Sequence, residues 1–345
     1  MSTRYYYLIL LLVNTGSIHA GEYYNEKNYG SDSLYDPFGS FLSYSLDSLQ
    51  VPDSFGTENF NNNLNSVLDN LAHPKSAINN DGGFHQFFNR EFLPVDSEHS
   101  EESWAILPNY GLHLLGGGMV FRRDLEYFRA HDVDYAMLYS VTLAMSAELI
   151  QEAIELKTTK PADAVADFYI YRPAGILLFA NDAIASFVMD NLDPAIWSYL
   201  QAFDLASDRF INTGISYMYR PPATEFLNSR LFIFTGLNNQ VGLSHRIDNN
   251  DWLSWGVGLS TQRIDFSASK QAELDTSYGL FYDRNKSLLW SLTFNDTGGT
   301  QYRFNLFPSN ESLPGKFGYF ISKNNNGEFS AGLTYRIQMG IGFIR

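Results

Sequence analysis

Between Phe329 and Phe343 every second residue is apolar: Phe329, Ala331, Leu333, Tyr335, Ile337, Met339, Ile341 and Phe343. The residues between them, Ser330, Gly332, Thr334, Arg336, Gln338, Gly340 and Gly342, are small or polar. A period of two belongs to a β-strand with unlike faces. The small face narrows the choice further. Lys, Glu and Thr usually line the wet side of a soluble sheet, whereas Gly and Ser weaken a solvent-facing strand and suit a crowded barrel interior. The stretch therefore reads as the closing strand of a transmembrane β-barrel. A strand tilted about 45° crosses in about 9–11 residues, so part of this longer run should project beyond the bilayer or bend at Gly340.

The same chemistry recurs upstream. Ile211 to Tyr219, Leu231 to Leu237, Val241 to Ile247, Leu253 to Leu259 and Thr276 to Tyr282 are candidate strands, followed by Leu288 to Phe294, Tyr302 to Leu306 and Phe317 to Ile321. Turns fall at Asp248 to Asp251, Asp283 to Lys286, Asn295 to Gly299, Pro308 to Gly315 and Asn324 to Gly327. This pattern predicts an up-and-down antiparallel β-barrel of about eight to ten strands. A soluble barrel alternates as well, with its apolar face inward. Trp252, Trp255 and Trp290 sit near strand ends, where interface girdles form, and the opposite face is rich in Gly, Ser and Asn. Both features favour lipid outside.

Composition narrows the partners. The chain has 345 residues, no cysteine and a formal net charge of −15. Nucleic acid is excluded as a partner, because phosphate binding needs a basic footprint, and a basic patch for anionic lipid is not expected. At the start, Arg4, the apolar run Tyr5 to Val13 and Ser17-Ile18-His19-Ala20 read as a cleaved signal peptide over residues 1–20. The apolar run is too short to span about 30 Å of hydrocarbon.

Residues 21–103 carry many turn formers and read as a loop-rich segment, with one short helix at Phe60 to Leu71 and an acidic run at Asp96 to Glu102. Residues 104–208 read as helical, before the barrel of residues 209–345. Leu112 to Phe128 is a helix broken at Gly116-Gly117-Gly118, glycines that suit close packing on a neighbour. Tyr135 to Lys157 is the strongest helix. Lys160-Pro161-Ala162-Asp163 opens another, which Arg172-Pro173 ends, and Asp193-Pro194 opens a last one through about Ala206. The overall class is α+β.

One constellation can carry chemistry. Glu148, Glu152 and Glu155 share a helix face at i, i+4 and i+7, and Asp163 and Asp167 share another one turn apart. Gln151 joins the first group and His113 lies upstream. Glu148 emerges from an apolar stripe of Val141, Ala144 and Met145, where burial raises a carboxyl pKa unless a cation or donor compensates. Such a set can hold a divalent cation or supply a general acid and base, with His113, Glu148, Glu152 and Asp163 as catalytic candidates and Gln151, Glu155 and Asp167 as the surrounding polar cluster. The plainer alternative is acids facing water and a hydrogen-bonded core histidine.

Glu148-Leu-Ile-Gln151 followed by Asp163 and Ala174-Gly175 resembles the Glu-x-x-Gln…Asp…Gly pattern of VanZ-like membrane proteins, and His113 stands where that family often has a histidine. The likeness covers about a fifth of the chain. The chain departs from it with Asp167 near a common Asn, with helices too short to span, and with a strand-rich half. The resemblance implies that Glu148, Gln151 and Asp163 lie together, and implies no activity. The strand half resembles Gram-negative outer-membrane barrels in general. The expectation is an outer-membrane protein that meets lipid, its helices closing the periplasmic mouth or lying along the inner leaflet. The alternatives are an envelope- or lipid-modifying hydrolase and a small-solute pore.

Overall fold

The computed structural model describes residues 23–93, 106–156, 162–265, 271–308 and 316–345. The signal-peptide stretch, the acidic run at Asp96 to Glu102, Lys160-Pro161 and most of the expected turn at Pro308 to Gly315 lie outside them.

The chain is α+β, with a helical part preceding a curled, barrel-like sheet. Its helices are α1 (Pro37–Ser45), α2 (Phe60–Ala72), α3 (Pro74–Asn80), α4 (Phe84–Phe92), α5 (Gly117–Ala130), α6 (Ala136–Glu155), α7 (Asp163–Ala166), α8 (Arg172–Ala180) and α9 (Asp182–Leu192). Two stretches are π-helical, Ile106–Gly116 leading into α5 and Asp167–Tyr171 joining α7 to α8. Residues 23–93 thus hold four α-helices: α2 at the place of the expected helix, and three more where turn formers suggested loops. Asp36 caps α1 by accepting from the backbone N–H groups of Phe38 and Gly39 at 3.0 and 2.9 Å, with Pro37 at the first helical position.

The glycine triplet does not break its helix. A Cβ on Gly118 would lie 2.3 Å from a Phe179 ring carbon and one on Gly116 2.4 Å from the Tyr217 ring, so the glycines admit α8 and the sheet at close range. Arg172-Pro173 is likewise no terminus, because proline at the first turn of α8 gives up a donor the π-helical stretch does not need. No single described helix is long and apolar enough to cross a membrane; Asp163–Ala180 and Asp182–Leu192 together are, but they meet at 89°.

The sheet has thirteen strands: β1 (Ala195–Ser198), β2 (Gln201–Asp204), β3 (Arg209–Ile211), β4 (Ile215–Tyr219), β5 (Ser229–Thr235), β6 (Asn238–Arg246), β7 (Asp251–Asp265), β8 (Gln271–Arg284), β9 (Ser287–Asp296), β10 (Thr300–Leu306), β11 (Phe317–Asn324), β12 (Phe329–Tyr335) and β13 (Met339–Ile344). From β4 to β13 each strand pairs antiparallel with the next. Residues 195–219 join the two margins. There β1 pairs with β4, while β2 pairs with β3 and, in parallel, with β13.

Two expectations are corrected here. The sheet begins at Ala195, so the last expected helix (Asp193 to about Ala206) is instead β1 and β2. The terminal alternation is a hairpin, turning at Arg336 (φ 65°) and not bending at Gly340.

Side-chain orientation is the sheet's most telling property. On β6–β13 the apolar alternates point outward. Val241, Leu243, Trp255, Val257, Leu259, Tyr278, Leu280, Phe294, Tyr319, Ile321, Leu333, Tyr335, Ile341 and Phe343 are exposed by between 39% (Leu280) and 66% (Ile341). The inward alternates are Ser, Gly, Thr, Asn and Gln joined to one another. Gln240 donates to Ser277 (2.7 Å), Ser277 to Asn238 (2.8 Å) and Asn238 to Asp296 (2.8 Å), while Ser244 meets Ser254 at 2.6 Å.

Trp197, Phe232, Phe234, Phe281 and Phe320 fill the remaining interior. Glycines leave them room: a Cβ on Gly279 would stand 2.5 Å from the Phe281 ring and one on Gly332 2.3 Å from the Phe320 ring. Residues 195–219 face two ways. Ile196, Ile215, Tyr217 and Tyr219 pack on the helices, whereas Trp197 and Met218 join the barrel interior. The helical part is thus a layer against one side of the barrel.

Candidate functional site

The helical layer brings together residues from five elements. α6 presents Glu148, the π-helical stretch before α5 presents His113, the second π-helical stretch presents Asp167, and α1 and α8 add Tyr44 and Arg172. His113 Nδ1 lies 2.9 Å from Glu148 Oε1, and its Nε2 lies 4.0 Å from Asp167 Oδ2. Tyr44 donates to Glu148 Oε2 at 3.1 Å and its hydroxyl lies 3.3 Å from His113 Nδ1. The Arg172 guanidinium stacks 4.2 Å from the Tyr44 ring centroid, with Nε 3.7 Å from Glu148. All five side chains are buried. A π-helical turn widens the backbone and re-aims side chains, which is why such turns recur at functional sites.

Burial and charge act unequally on these groups. Burial alone would lower the His113 pKa, but Asp167 and Glu148 outweigh it and raise it to about 10. Burial would raise Glu148, yet the charge and hydrogen bond of His113, with Arg172 and Tyr44 behind, bring it below its ordinary value. Burial drives Asp167 well above the carboxylate range, and its more distant histidine only partly opposes this. Glu152 rises too, through burial first and the Asp167 charge second. One carboxylate is compensated and two are not.

The expected residues divide clearly. His113, Glu148 and Asp167 meet, and Glu152 is buried beside them on the same α6 face. Gln151 and Glu155 form a neighbouring pair: Gln151 donates to Glu155 at 2.9 Å, and Ser48 donates to it at 2.5 Å. Asp163, half-buried at the start of α7, stands between two groups: its charge acts on Arg90 and Glu91, where Arg90 clamps Asp81 at 2.9 and 2.6 Å, and also raises Glu152 and Asp167. Sequence reasoning missed Tyr44 and Arg172. Tyr44 lies in the segment read as loops, and Arg172 was hidden by its reading as a helix stop. The water-facing alternative fails for Glu148 and Glu152, which are 0% and 4% exposed.

A second feature lies at one mouth of the barrel. A cavity of about 1080 Å³ is lined by Lys27, Arg123, Arg220, Arg230, Arg246, Lys286 and Lys316, against Glu26, Asp32 and Asp193. The guanidiniums of Arg220, Arg230 and Arg246 lie 4.3, 5.2 and 4.7 Å from the Trp252 ring centroid. Trp252 therefore turns inward beneath cations, where a girdle position was expected. A chain of net charge −15 concentrates its cations here, a clustering that composition hides.

No protein-family model matches this chain, and comparison with curated proteins and with solved structures returns no match.

Proposed function

We propose that the chain is an exported outer-membrane β-barrel protein of a Gram-negative envelope, with a structural or lipid-interacting role. The observation that carries this reading is the inverted sheet: apolar alternates outside, and hydrogen-bonded small and polar side chains inside. In water such a face would leave many large apolar side chains exposed on consecutive strands, whereas lipid removes that cost. The helical layer follows the same rule, exposing Leu138, Leu177 and Phe187 by 62%, 55% and 65%. This suits helices lying along a leaflet without crossing it. The stacked aromatic interior argues against the small-solute pore.

The test is fractionation after expression in a Gram-negative host, with gel migration compared before and after boiling. Recovery in the outer-membrane fraction with heat-modifiable migration is expected. A soluble, heat-insensitive band would overturn the reading.

The buried His113–Glu148–Asp167 group favours a second reading, an envelope- or lipid-modifying enzyme with Glu148 or Glu152 as base. Glu148→Gln and Glu152→Gln separate the two. Loss of function with normal membrane insertion supports chemistry, whereas joint loss of both supports structure.

A further inference from the structure

We propose that His113 and Asp167, supported by Glu148, form a site for one divalent first-row transition cation, of which zinc is the probe.

Three observations lead there. The first is spacing. His113 Nε2 and Asp167 Oδ2 face each other at 4.0 Å, too far for a hydrogen bond. Two metal–ligand bonds of about 2.1 Å reach that far, and a tetrahedral cation between them would draw the pair to about 3.4 Å, a movement of a few tenths of an ångström.

The second is orientation. The other ring nitrogen, Nδ1, is engaged by Glu148 at 2.9 Å, and Glu148 is itself held by Tyr44 at 3.1 Å. A carboxylate on one imidazole nitrogen fixes the tautomer that leaves the other as a free lone pair, the support that metal-binding histidines use. Nε2, the nitrogen whose proton a metal ion would displace, faces Asp167.

The third is an atom without a partner. Asp167 is 4% exposed, and its Oδ1 has no hydrogen-bond partner among the described residues. A buried carboxylate oxygen left unsatisfied is costly, so such groups call for a counter-charge. Glu148 and Asp167 bring two carboxyl groups to a space shared with His113, and the Arg172 guanidinium has turned to Tyr44 and Glu148. One imidazole with carboxylates suits zinc or manganese better than calcium, which takes oxygen alone. Both ligands stand on π-helical turns, which aim them into the same gap.

The site rests on the helical layer alone and is independent of the membrane reading. The experiment uses the full chain, stripped with a chelator and titrated with zinc chloride by calorimetry. One zinc per chain is expected. Glu148→Gln should weaken binding by about 10–100-fold, and the double variant His113→Gln/Asp167→Asn should abolish it, with heat-dependent gel migration or tryptophan fluorescence reporting folding. Saturable binding that persists unchanged in a folded double variant would overturn the site, as would no saturable binding to the parent chain up to millimolar zinc. Should the variants not fold, cobalt decides on the parent chain: visible absorption bands of a four- or five-coordinate ion support the site, and their absence sinks it.

Discussion

The barrel and the helical layer both bury polar groups and expose large apolar side chains, but they satisfy those polar groups differently. Inside the barrel, neutral side chains dominate and the buried charges of Arg220, Asp283, Asp296 and Arg303 have an opposite one at hand. Arg220 meets both oxygens of Asp283 at 3.0 and 3.1 Å, and Arg303 stands 3.3 Å from Asp296. In the helical layer carboxyl groups outnumber cations, and oxygens such as Asp167 Oδ1 go unpaired. An interior whose charges are all matched holds a shape. One with surplus acid is poised to take up a proton or a metal ion, and that contrast places the chemistry beside the barrel wall and not in its lumen.

The largest expected effect breaks a matched charge. Arg220→Ala leaves Asp283, which is fully buried, without its partner. Such a half-removal costs about 3–5 kcal/mol, whereas replacing both partners by apolar residues is often close to neutral. The denaturant midpoint of the double variant Arg220→Met/Asp283→Leu should therefore recover most of what Arg220→Ala loses. Equal losses in both would mean that the pair is not the stabilising unit.

A somewhat smaller effect tests the outer face itself. Val257 lies mid-way along β7 and is 43% exposed. An arginine facing the bilayer midplane costs about 2–4 kcal/mol, and one facing water costs almost nothing. Val257→Arg should lower the unfolding midpoint in lipid vesicles by that amount. A midpoint equal to that of the parent chain would show this face to be wet.

How much of this the sequence disclosed depends on whether one face of an element differs from the other. β6–β11 have unlike faces, so the period of two located them and their turns. β1 and β2 are buried on both sides, Ile196 against helices and Trp197 inside the barrel, so no period remains and Asp193-Pro194 reads as a helix start. The terminal hairpin stayed hidden for a different reason. Leu333 pairs with Ile341 across a turn of odd length, so odd-numbered residues point outward on both arms and the alternation runs through the reversal in phase. The site was legible as a set of acids on one helix face plus a histidine. Its assembly depends on two π-helical turns and on Arg172 and Tyr44, and none of these leaves a periodic mark.

The smallest effect sharpens the contrast through pH. Asp47 and Asp124 border the helical layer, each 6% exposed or less, and burial is the main cause that raises both pKa values from 3.8 to about 7. Such a group holds its proton in the folded chain and releases it in the unfolded chain between those values. The unfolded state then binds fewer protons, so stability falls as pH rises from about 4 and levels off above about 7. Denaturant midpoints should therefore be lower at pH 8 than at pH 5. Asp47 accepts from the Ile215 N–H at 2.7 Å and Asp124 from the Tyr35 hydroxyl at 2.5 Å, bonds that an amide oxygen can also accept. Asp47→Asn/Asp124→Asn should consequently keep the fold and flatten the slope between pH 4 and 7. A slope as steep in the double variant would take the pH dependence away from Asp47 and Asp124 and leave it to other raised carboxyl groups, Glu152 and Asp167 first among them.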